Sequence, residues 1–280
     1  MTDDAAQIHS GIAYANHDGV ELLGDLYLPK NAKAVPALVA VHGGAWIGGA
    51  RMAFQYWGRH LAARGIALFA ISYRLATKGK AFPQAVHDVI AGVQFVRGKA
   101  GEFNIDPQRI GLLGASAGGQ LAALVTLGGE KFSGGYPRDA FASVSSEAKV
   151  LVGAYGVYDM LAMWTSLQTQ TPRDNVVERF LGMPPMDDRQ LYFDASPISY
   201  ATFAKNKIPV LLTTGTEDDL VDRAANSDAF LLALKQAGFF VRTCIVPGAP
   251  HFWMNDPIDE PTSFSGFLAP RLMRFLAEKL

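Results

Sequence analysis

The sequence has one cysteine, Cys244, so no disulfide can close within the chain. That residue sits in the apolar run Val241-Arg242-Thr243-Cys244-Ile245-Val246 and reads as a small buried side chain. Charge of one sign is lacking too: 25 Lys and Arg against 26 Asp and Glu leave a formal net charge of −1. A protein that tracks a phosphate backbone needs a basic surplus, so nucleic acid is not an expected partner. No apolar run reaches the roughly 18 residues that cross a bilayer, and no membrane partner is expected. The opening residues MTDDAAQIHS have no basic segment followed by an apolar stretch. They do not read as a secretory signal, and the cytoplasm is the expected location. There is no G-x-x-x-x-G-K-[ST] to cradle a phosphate. No H-E-x-x-H or paired Cys/His spacing suggests a metal. Internal repeats, low-complexity tracts and linkers are absent as well.

What is present is an apolar, patterned chain of 280 residues, 49% hydrophobic and 18% charged. A single domain of this size buries about three quarters of the surface its unfolded chain exposes, so it needs no staples. Short apolar runs alternate with longer helical stretches, which predicts an α/β fold with a mostly parallel sheet and helices on both faces. Ile8 to Tyr14 and Val20 to Tyr27 read as a strand pair joined at Asn16-His17-Asp18-Gly19. Further strands are expected at Val35 to Val41, Ile66 to Tyr73, Arg109 to Gly114, Lys149 to Tyr155, Pro209 to Thr214 and Phe239 to Val246. Helices are expected over Phe54 to Arg64, Gln84 to Gly98, Ala117 to Leu127, Ala224 to Ala237 and Phe267 to Leu280. The alternation breaks between Gly156 and Ile208, where about fifty residues rich in Met, Pro, Trp and Phe separate two strands, far more than an ordinary connection. Residues 157–207 therefore read as a partial cap inserted over the strand ends of one domain, 1–280. A long helical crossover is the alternative.

Gly114-Ala115-Ser116-Ala117-Gly118 fits G-x-S-x-G and lies directly between a predicted strand and a predicted helix. A sharp strand-to-helix turn lifts a serine clear of the sheet, and its neighbours must be tiny because backbones crowd there. A serine hydroxyl is a poor nucleophile at neutral pH and needs a general base. Of six histidines only His251 follows Ser116, and it lies just after the last predicted strand. His42 is the second choice and reads as structural. The orienting carboxylate is sought after the preceding strand, among Glu217, Asp218, Asp219 and Asp222, with Asp218 first and Asp219 next. The loop His42-Gly43-Gly44-Ala45-Trp46 can turn backbone N–H groups into a site. One of its amides, with the amide of Ala117, is expected to hold an oxyanion. Trp46, Tyr158, Trp164, Phe252 and Trp253 are candidates for lining an apolar substrate pocket, or are simply core.

With HGGAW, GASAGG, GTEDDLV and the segments Ile71 to Ala76, Phe82 to Val89, Ile105 to Ile110 and Ala195-Ser196-Pro197 in one order, the chain resembles the esterase branch of the α/β-hydrolase superfamily. It is similar to the hormone-sensitive-lipase-like carboxylesterases and to small acetylxylan/feruloyl-type esterases. The resemblance runs from His42 to about Leu280. It implies the α/β-hydrolase fold, a triad of Ser116, Asp218 and His251, and oxyanion amides at Gly44, Ala45 and Ala117. It also implies hydrolysis of a small-molecule ester, small to medium in size, with no cofactor and no metal; the few charges in the presumed pocket loops point to a neutral ester. Three departures stand out. Ala45 replaces a third glycine, no Pro-Glu follows Tyr73-Arg74-Leu75-Ala76-Thr77, and His251 is preceded by Pro250 rather than glycine. An amidase or arylformamidase on the same scaffold is the nearest alternative, and a non-catalytic binding protein the more distant one.

Overall fold

A computed structural model describes residues 6–31, 33–132, 139–171 and 173–280. The chain opens with a hairpin of β1 (Ala6–His17) and β2 (Val20–Pro29). Its turn needs only Asp18 and Gly19, both at positive φ (53° and 78°), which suits the right-handed twist of the two strands. The turn is tighter than the four-residue reading, and β1 runs on through His17.

The apolar runs Val35–Val41 (β3), Ala67–Ile71 (β4), Leu151–Ala154 (β6) and Val210–Gly215 (β7) are almost wholly buried, because helices cover both sheet faces. With β5 (Ile105–Ala115) and β8 (Val241–Val246) they complete an eight-stranded sheet of order β1-β2-β4-β3-β5-β6-β7-β8. Only β2 runs against its neighbours; from β4 across to β8 every pairing is parallel. Residues alternate between the faces. In β3, Leu38 and Ala40 meet α1 (Gln55–Ala62) and α8 (Phe264–Lys279), whereas Ala37, Val39 and Val41 meet α2 (Gln84–Gly98) and α3 (Ala117–Gly128). Helix α7 (Ala229–Gln236) lies on the α2–α3 face and begins from a π-helical turn, Ala224–Asp228.

The long connection between β6 and β7 contains α4 (Met160–Gln170), α5 (Val176–Leu181) and α6 (Arg189–Ala195). Each starts at a polar residue whose side chain accepts an amide of the first turn: Asp159, Asn175 and Asp188. Its buried side chains, Met160, Val177, Phe180 and Tyr192, join the core on the α2–α3 face. Among the described residues no helix is long and apolar enough to cross a membrane.

One buried ionic cluster ties the hairpin to α2. His17 offers Nδ1 to Asp88 Oδ1 (2.6 Å) and Nε2 to Asp139 Oδ2 (2.7 Å), and Arg74 Nη2 donates to Asp88 Oδ1 (2.7 Å). Burial alone would lower the pKa of His17, but the hydrogen bonds and charges of Asp88 and Asp139 outweigh it and raise the value. A raised folded pKa contributes stability that is complete below the ordinary imidazole value and lost as pH rises through the folded one. Thermal melts should therefore show His17→Gln least stable relative to the parent near about pH 6, with the gap closing toward about pH 9. A gap that is constant or widens across that range would remove the protonated histidine from this account.

Candidate active site

Ser116 occupies the single residue between β5 and α3, at φ 54° and ψ −123°. A non-glycine residue there stores on the order of 1–3 kcal/mol, so its surroundings must hold it. Its amide donates to Ala154 O of the neighbouring β6 (2.9 Å). The flanking glycines allow the turn: a methyl on Gly118 would lie 2.0 Å from Val41 O, and one on Gly114 would lie 2.2 Å from Gly118 O. The sequence places small residues here because nothing larger fits.

His251 follows β8 and is buried beside Ser116. Its Nε2 stands 2.9 Å from Ser116 Oγ, and its Nδ1 2.7 Å from Asp218 Oδ2. Asp218 also accepts the amides of Leu220 (3.1 Å) and Val221 (3.0 Å) on Oδ1. Burial pushes the Asp218 carboxyl up, but the bonds from His251 and from these amides outweigh it and hold it below the usual carboxylate range. An ionised carboxylate can only accept, so Nδ1 carries the proton and Nε2 is left to take one from Ser116. Of the other acids, Glu217, Asp219 and Asp222 are exposed, and Asp222 is spent capping the turn at Ala225.

The histidine is gripped by aromatic rings. Tyr155 lies 4.6 Å from its ring centroid and Phe252 4.5 Å. The Tyr155 hydroxyl accepts the amide of Met254 (3.2 Å), which pins the loop three residues beyond His251. Tyr155 itself is buried at φ 38°, another strained residue at the site. The sequence marks Tyr155 only as the end of a strand and gives no sign of this duty.

The loop after β3 lies against the nucleophile: a methyl on Gly43 would come within 2.9 Å of Ser116 Cβ. Gly44, Ala45 and Trp46 all have positive φ (123°, 52° and 59°). The amides of Gly43, Gly44, Ala45 and Ala117 donate to no backbone carbonyl among the described residues. His42 is buried and structural. Its Nδ1 lies 2.8 Å from Gly43 O, its ring stacks on Tyr73 at 4.5 Å, and Tyr73 Oη donates to His42 O (3.0 Å). Burial lowers its pKa to about 4, so it is neutral at pH 7.

Beside Ser116, on the α1–α8 side, is a cavity of about 480 Å³. Its walls include Gly43, Gly44, Ala115 and Tyr155, with Met52, Gln55, Phe252 and Asn255 around them, and no charged residue. Of the aromatic residues read from sequence as pocket candidates, Phe252 lines this cavity, and Trp46, Tyr158, Trp164 and Trp253 do not. Trp46 and Tyr158 are corrected to core: Trp46 stacks on Phe180 at 4.9 Å and Tyr158 on Phe230 at 4.4 Å, both fully enclosed. Trp164 packs at the edge of the same core and donates to Glu178 (2.7 Å), and Trp253 is buried against Tyr155 at 5.3 Å. Met52, Gln55 and Asn255 carry no motif, and only their position just past the two loops could have pointed to them. Among the described residues no cluster of His, Cys, Asp and Glu could hold a metal ion.

Residues 24–234 match the BD-FAE family. The chain is 30% identical over 257 residues to esterase LipC of Mycobacterium tuberculosis, covering 87% of this chain and 60% of that protein. It is 28% identical over 241 residues to a probable isoprenylcysteine alpha-carbonyl methylesterase of Arabidopsis thaliana, covering 84% of this chain and 49% of that one. The chain thus spans about half to three fifths of the length of these curated relatives. Among solved structures, propionate-bound esterase Est2 of Thermogutta terrifontis superposes with a TM-score of 0.76 at 24% identity, covering 98% of this chain and 94% of that one. That likeness is one of fold, and the fold is that of the α/β-hydrolases.

Proposed function

The chain belongs to the BD-FAE family, and from that premise we propose that it is a serine hydrolase of carboxylic esters. The observation that carries the reading is the unbroken hydrogen-bonded line from Asp218 through His251 to Ser116, ending beside an uncharged cavity. In this reading His251 Nε2 takes the hydroxyl proton as Ser116 Oγ attacks the ester carbonyl. Asp218 keeps the tautomer fixed and stabilises the imidazolium. Amides of the Gly44-Ala45 loop and of Ala117 hold the oxyanion, each worth about 3 kcal/mol in the transition state. His251 then protonates the leaving alcohol, and a water activated by the same nitrogen releases the acid and frees Ser116.

The substrate is a small-molecule ester, small to medium in size and uncharged. A charged ester would shed its hydration in a cavity with no countercharge to meet it. The relatives' names, esterase and methylesterase, support ester rather than amide substrates. The test is a series of p-nitrophenyl esters of increasing acyl length run beside matched anilides. Neutral short and medium esters should turn over at least about 100-fold faster in kcat/KM than their anilides. Faster anilide cleavage would make the protein an amidase, and no turnover of either would end the hydrolase reading.

A further inference from the structure

Gly44, Ala45 and Trp46 stand in the left-handed region one after another, and two of them carry a Cβ. Such a run persists only where neighbours over-determine it. Here the hold is on Trp46. Its indole Nε1 donates to Gln120 Oε1 (2.9 Å), its ring lies nearly parallel to Phe180 at 15°, and its carbonyl accepts the amide of Ala76 (2.8 Å).

Gln120 is fully buried one turn into α3, and its amide donates to the carbonyl of Ser116 (3.2 Å). Its side chain is used at both ends: Oε1 faces the indole N–H, and Nε2 donates to Ala195 O at the end of α6 (2.9 Å). The orientation is fixed by chemistry, since an indole N–H only donates and a carbonyl only accepts. One amide therefore joins three parts of the chain: the turn that carries Ser116, the Gly44–Trp46 loop, and the connection between β6 and β7. That connection also supplies Phe180 beneath the indole.

We infer that Trp46 and Gln120 are positioning residues through which the seating of the α4–α6 segment sets the shape of the loop beside Ser116. The inference rests on the esterase reading, in which that loop holds the oxyanion. Neither side chain reaches the cavity, so neither touches substrate, and both act through the backbone of Gly44 and Ala45. Oxyanion donors work only when aimed at the transition state, so a relaxed loop costs turnover and not ground-state binding.

The experiment measures kcat and KM on a neutral p-nitrophenyl ester that the parent hydrolyses, for Trp46→Phe, Gln120→Met and the double variant, with a thermal melt of each. Trp46→Phe keeps an aromatic ring on Phe180 but removes the donor and part of the ring's bulk, whose cost the melt reads; Gln120→Met keeps the bulk and removes both bonds. Each should lower kcat about tenfold or more, with KM within about twofold. The double variant should lose little beyond the worse single one, because both cut the same bond. The inference is overturned if kcat stays within about twofold of the parent, if the loss appears in KM, or if the two losses multiply. Should Gln120→Met not fold, Trp46→Phe decides by the same criteria. A parent with no ester turnover defeats the esterase reading itself, and the inference with it.

Discussion

Ser116→Ala is expected to lower kcat on a short-chain p-nitrophenyl ester by about 10⁵- to 10⁶-fold, with the melting temperature unchanged or raised. The size follows from what is removed. Without Oγ no acyl-enzyme forms, and His251 and Asp218 have no proton to move. What remains is substrate binding and the backbone amides of the loop, which elsewhere leave about 10³- to 10⁴-fold over water. Stability should not suffer, because alanine keeps the same backbone and gives up only the hydroxyl's bond to His251. The same variant should fail to react with a fluorophosphonate that labels the parent. Undiminished turnover in clean Ser116→Ala protein would mean that some other group attacks the ester.

Asp218→Asn carries the second large effect, a loss of about 10⁴-fold in kcat at neutral pH. Asparagine fills the same space, and its oxygen can still accept from Leu220 and Val221. Its amide nitrogen then faces His251 Nδ1 and donates to it, which moves the imidazole proton to Nε2. The nitrogen facing Ser116 can no longer accept. Asp219→Asn is the matched control and should leave kcat within about twofold, since that side chain is exposed and contributes no partner to His251. If the Asp219 variant shows the large loss and the Asp218 variant does not, the acid has been assigned to the wrong residue.

Much of this site can be read in the sequence, and the reason is geometric. A nucleophile turn needs glycines where backbones cross, as at Gly114 and Gly118, so steric demand is written directly into residue type. A parallel sheet delivers its loops at one end, so order along the chain singles out His251 and narrows the acid to four residues. Asp218 stands out among them by its spacing, three residues past Gly215 and three before Val221; the amides of Leu220 and Val221 that close onto its carboxylate are visible only in the fold. The pocket is different. Trp46 and Tyr158 look the same in sequence whether they face substrate or core, because both settings favour large apolar rings. Which of the two holds depends on α5 and α7, which bring Phe180 and Phe230 against them from far along the chain. Gln120 was equally hidden, since a polar residue inside a small-residue helix announces nothing until its two partners are in place.

The two faces of the sheet divide the labour of the site. Met52, Gln55, Phe252 and Asn255, which rim the cavity, belong to the α1–α8 side. Trp46, Gln120 and Phe180 belong to the α2–α3 side. In the proposed reading, the side chains that rim the cavity and those that brace the loop are different sets, and the two meet only in the backbone at Gly44. A designer, or natural drift, can reshape the rim to admit a new alcohol or acid while the supports of the loop stay untouched. Such separability is what lets one scaffold be retuned one property at a time.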